Sequence, residues 1–513
     1  MNAPIPTPPV GHTPPSLYRV GTLTYTKMSL AMLFFWLLWG DFCYNVMEAV
    51  TPSLIPVKFL ALGAGNWEIS IILGIIPTTL YTVLNPIISF KSDRYRSRWG
   101  RRIPFILFTL PFLVLSLVSL AFSADIGFWL HSHLGSLVAG IPPNEVAIYT
   151  IGFLLVVYTF FNTFLTSVFW YLFNDVVPEH LLARFMSWFR IISLGAGAFY
   201  NFCIFKYADT HFTVILLGAA ILYFVGFGAM CYFVKEGEYP PPPPYIEGKT
   251  GVGAAIRTYA NECHTAPLYW YQWIGNVLGS IGGAAGNIGG GAITAFALIF
   301  YINLGMTKAE IGDLFGSLGL VVGGLILISG WLADRYHPIR VVLAGAILGQ
   351  FVVAPANMIW IFWHPTSHTV VFWTVWIINM GLAAPALALN GVYDPPLMMR
   401  LFPRERYGQF CSVNAIWRSI GGIAGGFIAP VFLNFMVDQV GKEKAYFYIP
   451  VWQFLFGLPC FVLLFRLYYA WKKHGGDEAY VAPILNTSKS MAYPANLTTP
   501  VEDPRTLEPN DRR

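Results

Sequence analysis

The stretch KSDRYRSRWGRRIPF, residues 91–105, gathers Lys91, Arg94, Arg96, Arg98, Arg101 and Arg102 around a single acid, Asp93. An apolar run ends just before it and another begins inside it. Read alone, so basic a cluster suggests a site for phosphate. Read in place, it is a polar break between two stretches that belong in hydrocarbon.

The whole chain keeps that alternation. Of its 513 residues, 56% are hydrophobic and 11% charged, whereas soluble domains carry about 25% charged residues. Aromatics make up 17% and the mean hydropathy is +0.58. Apolar runs recur that can cross about 30 Å of hydrocarbon at roughly 20 residues each. The chain therefore reads as an all-α polytopic membrane protein whose first partner is the lipid bilayer. Its net charge of +5 is no pointer to nucleic acid, because in a membrane protein placement of charge matters more than its sign. Cys43, Cys203, Cys231, Cys263, Cys411 and Cys460 form no C-x-x-C pair and read as apolar fillers. No metal cluster, G-x-S-x-G or phosphate loop occurs, so neither a metal, a cofactor nor an enzymatic activity is expected. The proline-rich start, MNAPIPTPPVGHTPPS, lacks a basic region leading into an apolar core and reads as a tail.

Twelve spans are expected, near 28–50, 66–90, 103–123, 146–174, 182–205, 212–234, 268–303, 309–332, 338–362, 367–399, 407–437 and 445–471. They divide into a first bundle, 28–234, and a second, 267–471. The linker 235–266 contains Pro240 to Pro244, a run expected to be a stiff polyproline spacer. The tails are 1–27 and 472–513. Lys and Arg collect at one set of span ends, including Lys91 to Arg102, Lys235, Arg335, Arg340 and Arg400. The positive-inside rule then puts both termini and the linker in the cytoplasm, the membrane being the plasma or inner membrane.

The halves repeat. SDRY at 92–95 returns as ADRY at 333–336, and Pro178 with Phe185 matches Pro403 with Phe410. From Asp93 to Pro178 is 85 residues and from Asp334 to Pro403 is 69, a difference assigned to an outer loop around IGFWLHSHLGSLVAGIPPNE. Two six-helix halves in parallel repeat resemble the architecture of the major facilitator superfamily. The loop is most similar to that of sucrose transporters, in the glycoside–pentoside–hexuronide:cation symporter family, through Asp93, Arg94, Ser97, Arg98, Gly100, Arg101, Arg102, Pro104 and Phe105. WGDFCYN (39–45) resembles the G-D-x-x-x-N of glycoside symporters.

That resemblance implies a gate at the loop. Asp93 would accept from the first N–H groups of span eleven, where the helix dipole favours a carboxylate. Arg98 would pair with Asp175, and Asp334 with Arg335 would act similarly in the second half. These contacts would break as the cytoplasmic side opens. It also implies a sugar site. Arg190 and Arg418 match sugar-contacting and buried bases of spans five and eleven, and Trp170 matches a tryptophan that stacks on the sugar. Two cation-binding acids of the sodium-coupled branch are replaced by Tyr81 and Asn85, and a third aligns with Thr166.

Ionisable groups within spans are costly and thus candidates for function. Asp41 falls about 21 Å along a first helix starting at Lys27, by the 1.5 Å rise per residue. Tyr44 and Asn45 share its face. Glu48 is balanced between an interfacial and a functional carboxylate. Arg190 and Arg418 keep their charge and need an acid or an oxygen-rich ligand; an Arg190–Asp41 pair is the plainer alternative. Trp39 and Trp417, beside Asp41 and Arg418, are second-tier pocket candidates with Tyr44, Glu48, Tyr81 and Asn85. Span seven packs eight glycines between Gly275 and Gly291, fitting either close packing or a bending helix. The expectation is a monomeric sugar:proton symporter, with Asp41 carrying the proton and Asn45, Trp170, Arg190 and Arg418 lining its cavity. A facilitator, a carrier of another polar solute and a transporter-like sensor stay open beside it.

Overall fold

A computed structural model describes residues 18–20, 22–134, 140–239, 263–264, 266–283, 296–403 and 407–483. Among these, eleven helices are long and apolar enough to cross a membrane: Lys27–Leu62, Asn66–Ile88, Ile103–Ala121, Pro143–Phe173, Phe185–Tyr207, Phe212–Phe233, Lys308–Tyr336, Pro338–Phe362, His368–Asn390, Gln409–Val440 and Lys442–Lys473. The first six are spans one to six and the last five are spans eight to twelve. Span seven is described as Pro267–Gly282 and Ala297–Asn303. Residues 284–295, with Gly286 and Gly289 to Gly291, lie outside the described residues, as do Pro240 to Pro244 and both chain ends.

The helix starts follow from the sequence. Thr26 and Ser29 form a capping box before span one, and Thr307 and Glu310 form another before span eight. Each box satisfies backbone N–H groups that the first turn leaves without partners. Pro104, Pro143, Pro267, Pro338 and Pro450 open other helices, at positions where a missing N–H costs nothing.

Two segments differ from expectation. Span one runs through Pro52 and Pro56 to Leu62, well past residue 50. Ser53 Oγ donates to the carbonyls of Ala49 and Val50 at 2.6 and 3.1 Å. The segment read as an outer loop holds a helix, Ser123–His133, whose Gly127 lies against the backbone of Ala147 in span four.

Both halves are built alike. Span one packs on spans five and six, three on four and six, and two on four; seven packs on eleven and twelve, nine on ten, and eight on ten. The halves meet through spans two with eleven and five with eight. Asn66 Nδ2 donates to Asn434 Oδ1 at 2.8 Å, Tyr446 OH donates to Asn66 Oδ1 at 2.7 Å, and Ser70 Oγ donates to the Gly426 carbonyl at 2.6 Å. Lys308 pairs with Asp209. A side chain at Gly312 would run into the Asn201 carbonyl, so glycine lets spans five and eight approach there. All of these contacts lie toward the face opposite the 91–105 loop. The two halves are therefore closed together at that opposite face.

Candidate functional site

Asp41 sits on span one with no exposed surface. Asn45, one turn on, donates from Nδ2 to the Asp41 carbonyl at 2.9 Å and to Oδ1 at 2.5 Å. From span five, Ser193 Oγ lies 3.0 Å from Asp41 Oδ2 as a donor. Asn45 Nδ2 also reaches Ser193 Oγ at 3.1 Å, closing the triangle. Neutral donors thus hold the carboxyl. Arg190, one turn before Ser193, is exposed and acts on Asp41 through space. It makes no ion pair within 4 Å and no hydrogen bond among the described residues, so the Arg190–Asp41 pair is not formed. Trp170 is 40% exposed and packs on Phe173 and Phe189, the residue preceding Arg190. Asp41, Asn45, Arg190 and Trp170 therefore cluster, whereas Arg418 stands in the other half on span eleven.

The second-tier residues divide. Glu48 is partly buried and accepts from Asn162 Nδ2 at 2.8 Å; Tyr223 OH donates to Asn162 Oδ1 at 3.4 Å. Tyr44, Tyr81, Tyr158 and Tyr223 all feel its charge. Glu48 thus faces Asn162 of span four inside the first bundle. Asn162, Tyr158 and Tyr223 were not among the expected residues, since no charge marks them. Tyr81 is exposed, and Asn85 Oδ1 accepts from Tyr171 OH at 3.2 Å. Tyr44 is buried against Phe169. Trp39 lies beside Gly226 of span six, away from Ser193. Trp417 Nε1 donates to His264 Nε2 at 3.0 Å and packs on Trp270, so it serves the edge of span seven.

An amide cluster in the second half went unforeseen. Asn276 Nδ2 and Gln272 Nε2 donate to Asn414 Oδ1 at 2.5 and 3.3 Å, and Tyr393 OH donates to Asn276 Oδ1 at 2.6 Å. Gln272 and Asn276 keep the four-residue spacing of Asp41 and Asn45. They sit five and nine residues after the start of their helix at Pro267, nearer its start than Asp41 and Asn45 are to Lys27.

The loop corrects the expected gate. Asp175 is held by Arg101, through Nε at 2.8 Å and a second guanidinium contact, and by Arg102 Nε at 3.0 Å. Arg98 is exposed and lies over the Trp99 ring at 5.6 Å. Gly100, at φ 100°, turns the chain so that Arg101 and Arg102, and not Arg98, meet the end of span four. A side chain at Gly100 would also collide with Glu236. Glu236, just after span six, accepts from the N–H groups of Arg101, Arg102 and Ile103 at 3.0, 2.8 and 2.6 Å. It caps span three where the helix dipole favours an anion. Tyr239 OH donates to Glu236 Oε2 at 2.9 Å while its ring lies 4.4 Å from the Arg101 guanidinium. Burial, then the Glu236 and Asp175 charges, push the Tyr239 phenol well above its ordinary value, so it remains a donor.

Every one of these contacts joins residues of the first half to one another or to the start of the linker that follows it. They are formed while the halves meet at the opposite face, so the Asp175 pairs brace one half and do not release there. The side chains of Asp93 and Arg94 lie outside the described residues. In the second half Asp334 Oδ1 accepts from Arg400 at 3.2 Å, both side chains being exposed, and Arg335 lies over the Trp331 and Tyr336 rings at 5.5 Å.

The family model described as Major Facilitator Superfamily matches residues 37–426. A membrane-associated transporter protein of Mus musculus is 39% identical over 87 residues, 17% of this chain and 15% of that protein. The shikimate transporter of Escherichia coli (strain K12) is 28% identical over 153 residues, 29% of this chain and 32% of that protein. These matches span under a third of each relative's length. A bacterial homologue of the human lysosomal transporter Spinster has the same fold, with a TM-score of 0.61 at 12% identity, covering 88% of this chain and 99% of that one. A D-xylose-proton symporter does so with a TM-score of 0.55 at 10% identity, covering 84% and 96%.

Proposed function

Because the chain belongs to the major facilitator superfamily, and so is a multi-pass membrane transporter, we propose that it is a secondary active symporter moving a sugar with a proton. The basic face is then cytoplasmic, and the two bundles alternate between closure at one face and at the other. The observation that carries this reading is Asp41: a fully buried carboxyl held by Asn45 and Ser193, with Arg190, which makes no ion pair among the described residues, one turn from Ser193. A carboxyl held by neutral donors can gain and lose a proton without breaking an ion pair. Arg190 offers a fixed fork of donors to sugar hydroxyls, and the exposed face of Trp170 suits the C–H face of a pyranose ring. Occupation by sugar beside Arg190 changes the field at Asp41, which links the two events.

Proteoliposomes carrying the purified chain test this. With the interior made alkaline, labelled sucrose or maltose should accumulate above its outside concentration, and a protonophore should abolish the accumulation. Equilibration without accumulation, unaffected by protonophore, would make the protein a facilitator. Loss of all uptake of either sugar would remove the sugar assignment.

A further inference from the structure

A cavity of about 290 Å³ lies inside the second half, between spans seven, nine, ten and twelve. It is remote from Asp41: no residue of the first half lines it. Its walls carry five carboxamides, Gln272, Asn276, Gln350, Asn390 and Gln453, with the Tyr393 hydroxyl and the rings of Tyr271 and Phe461. None of the lining residues is charged.

Two of the amides are unspent. Asn390 is only 5% exposed, yet its carboxamide makes no hydrogen bond among the described residues. Its Nδ2 points at Gly349, where even an added side-chain carbon would stay 4.0 Å away. Gln453, on the facing helix, has no partner there either. Gln350 spends Nε2 on the Phe454 carbonyl at 2.8 Å and Gln272 spends Nε2 on Tyr393 and Asn414, which leaves both Oε1 atoms as acceptors on the cavity. The amide atoms of Asn390 and Gln453 keep accessible surface on the cavity, where a ligand can bond them.

We propose that this cavity is a second binding site, for a neutral polyhydroxylated ring compound of monosaccharide size. Each alternative chemistry conflicts with the walls. A charged ligand would find no counter-ion, and an apolar one would leave Asn390 and Gln453 unpaired. Carboxamides offer donors and acceptors in equal supply, as hydroxyls do, and the two aromatic rings accept a C–H face. The volume is at the small end of ligand pockets, which begin at about 300 Å³. The site does not rest on the Asp41 reading, because it shares no residue with that cluster.

Equilibrium dialysis of the full chain in lipid nanodiscs, free of glycosidic detergent, tests it with labelled D-glucose and myo-inositol as probes and cyclohexanol as competitor. At least one probe should bind the wild type and Arg190→Leu, which strips the Asp41 cluster of its sugar-facing donors, with affinities within twofold of each other. Asn390→Leu should weaken that binding at least tenfold, and Ala346→Phe, which fills the cavity, should remove it. Gln453→Leu serves the same purpose if either variant fails to fold. Cyclohexanol, the same ring size with one hydroxyl, should not compete. The proposal is overturned if neither probe binds, if the cavity variants bind like the wild type, or if Arg190→Leu alone removes binding. Equal competition by cyclohexanol, or displacement of the probe by added phospholipid, would mark an apolar pocket and overturn it as well.

Discussion

The first spans of the two halves place polar side chains four residues apart, Asp41 with Asn45 and Gln272 with Asn276, and each pair meets a residue of the fifth helix of its own half. The backbone arrangement is shared but the chemistry is not. In the first half the hydrogen-bonded group is a carboxyl, which can change charge. In the second it is an amide, which satisfies its neighbours and cannot. The basic face repeats the contrast. Arg102 and Asp175 are 5% and 8% exposed and tied to Glu236 through span three, while Arg400 and Asp334 are 43% and 83% exposed. A common fold thus centres its span-one polar pair on a carboxyl in one half and its span-seven pair on an amide in the other.

The largest test of that contrast is removal of matching acids. Asp175→Ala removes the buried acid that Arg101 and Arg102 share and should destabilise the protein by about 3–5 kcal/mol. Asp334→Ala breaks an exposed pair and should cost about 1 kcal/mol or less. Thermal unfolding of the two variants in the same lipid decides it, and equal losses would erase the asymmetry. Next comes Glu236→Gln, which keeps the shape but removes the charge from three backbone N–H groups. A loss of about 2 kcal/mol is expected from charge-assisted bonding at a helix start, read as a lower unfolding temperature. No change would show that the loop is held by Asp175 alone.

The smallest effect belongs to the second half. His337 sits at φ 71° between spans eight and nine, with Nδ1 accepting from Ile339 N–H at 3.3 Å. Burial, aided by the Arg400 and Arg340 charges, holds its imidazole down to about 4, below the usual value of about 6.5. As pH falls, the unfolded chain takes up this proton first. The stability tied to neutral His337 is complete above pH 6.5 and is lost between about 6.5 and 4. His337→Asn keeps an acceptor for Ile339, and its melting temperature should fall less between pH 7 and pH 5 than that of the wild type.

Much of this was legible in the sequence, and the exceptions have physical reasons. The apolar runs, SDRY with its echo ADRY, and the Asp41–Asn45 spacing are local patterns that a helix turns directly into geometry. The end of span one was hidden because a proline in a helix usually marks its end, whereas this helix runs through Pro52 and Pro56 to Leu62. Asp175 was matched to Arg98 because spacing cannot reveal the turn at Gly100. Glu236 was invisible for another reason: it lies 135 residues beyond Arg101 and meets it only once span six has returned to the basic face. The amide cluster of Gln272, Asn276 and Asn414 carries no charge, so no cost of burying an ion singled its members out.

The central claim is that proton movement belongs to Asp41 in the first half. Lightly buffered proteoliposomes containing the chain, given sucrose or maltose outside, should show a rise in external pH as sugar carries protons inward. Asp41→Asn should give no pH change while still exchanging labelled sugar, and Gln272→Leu should keep the pH change. A sugar-driven pH rise that survives in Asp41→Asn would contradict the account.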